Sequence, residues 1–255
     1  MYHSYADKTF TVDQVAQIKS LDGPSKTIQN FISIAELNYL REEIKKISYP
    51  EHGKTSKYFG ASYNDHFAKE IKNMLWKNIF EGKLHDLIGD HDLDFFAWQE
   101  AITPWKIHAD LRWYPDKLPY KVILIPMDVE SDIDTWKDTY TIAFKQRDYL
   151  EGNKNTDKRS KGNDDQSKWK RPYNNPGTRN LIDGYSITEE QHQQYFSHMD
   201  YGFLEGLEID NIFKWAPCSA VTWDQNQLHC ADNFLANGIT TKRSLIFFTN
   251  QQTPS

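Results

Sequence analysis

YKVILIPMDV, residues 120–129, is a short run of β-branched and aliphatic side chains, the texture of a buried β-strand. Four other runs share it: DFFAWQEAIT (94–103), TYTIAF (139–144), SAVTWD (219–224) and RSLIFFTN (243–250). Together they predict a sandwich or barrel that begins after Gly89. No internal period of about 20 to 50 residues recurs, so a repeat architecture is not expected.

Residues 1–90 read differently, as a helical support region. Ile34, Leu37, Leu40, Ile44 and Ile47 fall at helical spacing, and Ser33 with Glu36 forms a capping box, which predicts a helix from about residue 34 to 47. Phe67, Ile71, Leu75 and Ile79 predict a second helix that ends near Gly82. Downstream, the β pattern breaks between about 146 and 200, where Lys, Asn, Asp and Gly dominate the stretch at 147–180. Such a composition cannot bury enough apolar area to order itself. It reads as an insertion or flexible loop, either solvated or a lid in which Trp169, Arg171 and Tyr173 meet an anionic or aromatic substrate.

With 38% hydrophobic and 14% aromatic residues the 255-residue chain can form one packed domain, 1–255, whose β core occupies 91–255. The net charge of −6 argues against a dedicated nucleic-acid binder. Neither a signal peptide nor an apolar run of membrane-spanning length is visible, so a cytoplasmic protein without membrane partners is expected. Cys218 and Cys230 are too few for a disulfide framework and do not have zinc spacing, as suits a reducing compartment.

Chemistry first shows in PWKIHADLRWY, residues 104–114, where His108 stands two residues before Asp110. The pair alone means little, because 36 acidic residues in 255 make a position acidic about one time in seven, and a second pair, His198 with Asp200, also occurs. A third ligand separates them. Two histidines and one carboxylate on one face of a metal leave adjacent coordination positions open, the arrangement of non-haem Fe(II) oxygenases. His229, in WDQNQLHCADNF between two predicted strands, supplies the second histidine. From Asp200 only 28 residues intervene, too few for the strands between opposite walls of a barrel; from Asp110 there are 118. His108 and Asp110 are therefore the pair, and alternate residues of an extended strand do point to one face. Arg243, 14 positions after His229, opens RSLIFF as either a barrel-edge charge in water or a buried guanidinium with a specific anionic partner.

His108, Asp110, His229 and Arg243 jointly resemble the pattern of the Fe(II)/2-oxoglutarate-dependent dioxygenase superfamily, in the style of its prolyl-hydroxylase-like and phytanoyl-CoA-hydroxylase-like branches. TIQNFISIAEL (27–37) resembles the strand-to-helix lead-in before that core, and YKVILIPMDVES the strand after the first two ligands; the resemblance spans about residues 28 to 250. It implies a double-stranded β-helix (jelly roll, cupin-like) core, mainly β with N-terminal helices. It also implies that His108, Asp110 and His229 hold Fe(II), that 2-oxoglutarate chelates the metal with its far carboxylate on Arg243, and that O2 takes the last position. The implied reaction hydroxylates an unactivated C–H bond of a small-molecule or amino-acid-like substrate, releasing succinate and CO2. Tyr114, Gln99 and Trp98 are candidates for a second 2-oxoglutarate contact.

Two departures narrow the resemblance. The long insertion replaces a short Gly-rich connection after YKVILIPMDV, which speaks against peptide-prolyl substrates, and an aspartate at 110 speaks against the halogenase variant. Two rival classes remain: a cupin-type metal-dependent isomerase or oxygenase that does not use 2-oxoglutarate, with Arg243 an ordinary salt-bridged residue, and a non-enzymatic jelly roll binding sugar or protein. HDLIGDHDLD (85–94) is expected to be a solvated acidic connection, and His192 and His198 are expected to face water or the lid.

Overall fold

A computed structural model of the chain describes residues 10–45, 56–60, 75–111, 116–131, 138–149 and 178–252. The elements are α1 (Val12–Leu21), β1 (Lys26–Ile28), α2 (Ile34–Lys45), β2 (Ser56–Gly60), α3 (Glu81–Ile88, entered through a π-helical turn at Trp76–Phe80), β3 (Asp92–Ala101), β4 (Lys117–Ser131), β5 (Tyr140–Asp148), β6 (Thr178–Arg179), α4 (Glu189–Gln191, continued by a π-helical turn at His192–Phe196), β7 (Ile209–Lys214), β8 (Ala220–Asp224), β9 (Gln227–Ala231) and β10 (Ile239–Gln252).

Two antiparallel sheets face each other. The larger has the order β1-β8-β4-β10-β3-β2; in the smaller, β5 pairs with β6, β7 and β9. From β3 onward the chain alternates between them: β3 in the large sheet, residue 108 bridged to β9 in the small one, β4 large, β5 and β7 small, β8 large, β9 small and β10 large. This winding is the double-stranded β-helix, or jelly roll, which closes an antiparallel sheet upon itself.

The large sheet is buried on both faces. Ile123, Ile125, Met127, Leu245 and Phe247 pack outward against Leu37 and Leu40 of α2 and Leu84 of α3. Their neighbours Val122, Leu124, Ile246 and Phe248 point inward, where they meet Trp215, Trp223 and Phe234. α1 lies over one end, packing Val15 and Ile18 on Leu111, Leu118 and Tyr149.

Several expectations hold and several need correction. The Ser33 capping box forms, with the Ser33 N–H donating to Glu36 Oε2 (2.7 Å) and the Glu36 N–H to Ser33 Oγ (3.1 Å). Ile47, Phe67 and Ile71 fall outside the described residues. The second helical stretch does not end at Gly82. It continues to Ile88 and stops at Gly89, whose φ of 75° is a backbone state that glycine adopts at least cost and whose N–H reaches the His85 carbonyl (2.8 Å). The helical region also contributes strands: β1 and β2 form the two edges of the large sheet.

The described part of the 146–200 stretch is packed structure, not a flexible loop. Trp169, Arg171 and Tyr173 are outside the described residues, but Thr178–Arg179 joins the small sheet as β6 and residues from Ile187 on are laid on that sheet's outer face. Ile187, Phe196, Met199 and Leu204 cover Ile142, Phe144 and Leu228. Burial of these apolar side chains orders the segment that begins at Thr178.

Candidate metal centre

His108 and His229 are direct cross-strand partners. Each N–H donates to the other's carbonyl, at 3.0 and 2.9 Å, and the Asp110 N–H donates to the Gln225 carbonyl (2.9 Å). Strand alternation then does what the spacing predicts, since Ile107 and Ala109 turn outward into the layer under α4 while His108 and Asp110 turn inward. Leu228 and Cys230 likewise turn outward and leave His229 inside.

The side-chain chemistry is specific. The His108 Nδ1–H donates to the Lys106 carbonyl (2.6 Å) and the His229 Nδ1–H to the Gln227 carbonyl (3.0 Å), because a carbonyl can only accept. Each Nε2 lone pair is thereby aimed at the carboxylate of Asp110, His229 Nε2 at 3.1 Å from Oδ2 and His108 Nε2 at 3.7 Å from Oδ1. Acceptor atoms of all three residues lie within 4.8 Å of one another. Acceptors converge in this way around a cation, and carbonyl-anchored imidazoles are how proteins fix the tautomer of a metal-binding histidine. The donor set of two imidazoles and one carboxylate fits a divalent first-row metal. Among the described residues no other group of this kind occurs. Two indoles wall the pair, with Trp223 4.7 Å from the His229 ring and Trp105 5.4 Å from the His108 ring.

Arg243 is not with them. It faces outward, and its guanidinium is held by three carboxylates: Glu100 (Nε 3.1 Å, Nη2 2.9 Å), Asp128 (Nη1 3.0 Å) and Glu130 (Nη2 2.6 Å). The inward cation of β10 is its neighbour Lys242, on the face that carries Ile246 and Phe248 and only 2% exposed. Lys242 Nζ donates to the Tyr140 carbonyl (2.9 Å) and to Asp232 Oδ1 (3.3 Å) and lies 4.0 Å above the Trp215 ring. Burial pushes this ammonium down to about 8 in spite of Asp232 beside it. Gln99 shares the inward side of β3 with Ala97 and Ala101, whereas Trp98 packs outward with the helices. Tyr114 is outside the described residues.

The remaining sequence candidates fall elsewhere. His198 does not face water: burial first, then Lys106, His192 and Lys242, push its imidazole down to about 4. His192 does not reach open water with its Nε2, which donates to the Met199 carbonyl (2.8 Å). In the acidic connection His85 pairs with Asp90 at the surface (3.0 Å). Lys121 is taken by the buried Asp224, which also receives Arg147 (2.8 Å) and the Gly23 N–H (2.9 Å) and so ties the α1–β1 link to the barrel. Asp232, Trp105 and Trp223 were not singled out by the sequence, in which nothing distinguishes them from other acidic and aromatic positions.

No family model and no curated protein matches the chain. Among solved structures it is similar to an oxidoreductase of the 2OG-Fe(II) oxygenase family from Burkholderia pseudomallei, at 10% identity over 95% of this chain and 91% of that one, with a TM-score of 0.49. It is also similar to the non-heme alpha ketoglutarate dependent carbocyclase SnoK from nogalamycin biosynthesis (11% identity, 96% and 85% covered, TM-score 0.49) and to a Pseudomonas putida prolyl-4-hydroxylase (7% identity, 94% and 99% covered, TM-score 0.44). Likenesses of this size leave function to be argued from the side chains. No helix among the described residues is long and apolar enough to cross a membrane.

Proposed function

We propose that the chain is an Fe(II)- and 2-oxoglutarate-dependent oxygenase acting on a small-molecule or amino-acid-like substrate. The observation that carries this reading is the inward convergence of two tautomer-fixed imidazoles and one carboxylate at His108, Asp110 and His229. Bound iron would supply the O2 chemistry, coupled to conversion of 2-oxoglutarate to succinate and CO2 and ending in hydroxylation of a C–H bond. The chain's own residues hold, orient and keep dry. The Lys106 and Gln227 carbonyls keep both Nε2 atoms in ligand form, and Trp105 and Trp223 exclude water beside them. Lys242 replaces Arg243 as the anchor for the far carboxyl group, because it is the inward cation of β10. Gln99, on the inward side of β3, is a candidate polar contact for the same ligand. The free thiols of Cys218 and Cys230 suit the cytoplasm.

The salt-bridged state of Arg243 favours a second reading, a cupin-type metal enzyme that does not use 2-oxoglutarate. One experiment separates the two. Protein purified without oxygen, then given Fe(II), 2-oxoglutarate and O2, should form succinate, and His108→Ala, Asp110→Ala and His229→Ala should each lose tight iron binding while still unfolding cooperatively on heating. Iron retained in full by any one variant would remove that residue from the centre. Iron bound without measurable 2-oxoglutarate binding would establish the second reading.

A further inference from the structure

Lys242 and Asp232 form a pair that the metal centre does not use. Asp232 is completely buried and follows the last residue of β9, three positions beyond His229, so it lies roughly 10 Å along the strand from that ligand. A five-carbon chain bound to a metal at one end can span that distance. Asp232 is held in place. Its N–H donates to the Tyr140 carbonyl (3.2 Å), and its Oδ1 accepts from Thr139 Oγ1 (2.7 Å) as well as from Lys242 Nζ. Its other oxygen, Oδ2, is buried and has no hydrogen-bond partner among the described residues. Lys242 spends two of its three protons on the Tyr140 carbonyl and Asp232 Oδ1; no oxygen or nitrogen among the described residues accepts the third.

One acceptor without a partner and one donor met only by the Trp215 ring thus lie side by side in the interior. A buried carboxylate oxygen without a partner carries a large desolvation cost unless some group completes it. Another bare carboxylate cannot do so, because it would place a second anion against Asp232 with one ammonium between them. We infer that Asp232 is a specificity-determining residue, and that the Lys242–Asp232 pair selects a ligand whose far end both accepts and donates: a carboxyl group bound with its proton, or a primary carboxamide. The carbonyl oxygen of such a group takes the third proton of Lys242, and its O–H or N–H donates to Asp232 Oδ2. This rests on the reading of Lys242 as the co-substrate anchor and adds to it which 2-oxo acid the site prefers.

The probes are 2-oxoglutarate and its ω-amide, 2-oxoglutaramate, titrated at pH 8 without oxygen into the Fe(II) protein. At that pH a carboxyl group must recover a proton in order to bind and an amide need not. Wild type is expected to bind the amide at least as tightly as the acid. Asp232→Asn keeps the shape and the acceptor for Thr139 but turns Oδ2 into a donor. The preference should then swing to the acid by on the order of 100-fold, since a site that leaves buried polar groups unpaired rejects the mismatched ligand strongly. Wild type binding the acid on the order of 100-fold more tightly than the amide overturns the inference, whether or not the variant folds, while leaving the co-substrate reading intact. An unchanged preference in a folded Asp232→Asn protein overturns it too. Iron-loaded protein that binds neither probe is a separate result: it removes the co-substrate reading, and this inference with it.

Discussion

Lys242 and Arg243 are neighbours on β10 and share little beyond their charge. Lys242 points between the sheets to one carboxylate; Arg243 points the other way to three. Side-chain chemistry does not explain the assignment, because a guanidinium fork is the better carboxylate ligand and would be the natural anchor for a dicarboxylate. Parity explains it. One step along a strand carries a side chain through the sheet, so the inward face of β10 at Ile246 and Phe248 includes 242 and excludes 243. Glu100, Asp128 and Glu130 then occupy the fork that a ligand would need. Residue type says what a cation can bind, and register says what it can reach.

The comparison is most exposed to the pair of changes Lys242→Met and Arg243→Met. In anaerobic titrations of 2-oxoglutarate into the Fe(II) protein, followed by the metal-to-ligand absorption band, Lys242→Met should weaken binding by on the order of 100-fold. Arg243→Met should change it by less than about threefold. The reverse order would return the anchor to Arg243. A smaller effect belongs to the outer face: Arg243→Met strands three carboxylates, of which Glu100 is only 14% exposed, and should cost about 2 kcal/mol in urea unfolding. Adding Glu100→Gln should restore part of that loss, and full stability in the single variant would show that the outer cluster contributes nothing. The smallest effect is read through pH. His198 has a folded value of about 4 against an ordinary 6.5, so the unfolded chain binds more protons between those limits, and stability falls as pH drops from 6.5 towards 4. After discounting for partial exposure, the loss between pH 7 and pH 5 should be roughly 1 kcal/mol and should shrink in His198→Leu. Equal acid sensitivity in both proteins would mean that other groups carry it.

Why the inner and outer faces of β10 could not be told apart in advance follows from its sequence. RSLIFF has no polar alternation, because both faces of the large sheet are covered, one by the helices and one by the barrel interior. The five long strand runs were legible for the same reason, as was the capping box at Ser33. The convergence of His108, Asp110 and His229 was legible because it needed only a same-face pair and a spacing long enough to cross the barrel. β2 was not, since five residues at a sheet edge give little pattern to read, and β1 was anticipated only through the resemblance of TIQNFISIAEL to a strand-to-helix lead-in. The packed segment beyond Thr178 hid its apolar residues in turns, a π-helical stretch and a 3₁₀ stretch, where neither the 3.6-residue nor the 2-residue period applies. Asp232 had no signal at all, because what sets it apart is a buried oxygen with no hydrogen-bond partner among the described residues.

The reciprocal hydrogen bonds between His108 and His229 join residues 121 positions apart in the chain. Like the pairing of β10 with β3, this contact closes a long loop, and such closures come late in folding because their entropy is spent before other contacts compensate for it. The two imidazoles therefore cannot share an ion in any partly folded species that lacks this pairing. Capture of metal would report completion of the barrel during refolding, and the amide protons of these two residues would exchange with solvent only as fast as the pairing opens.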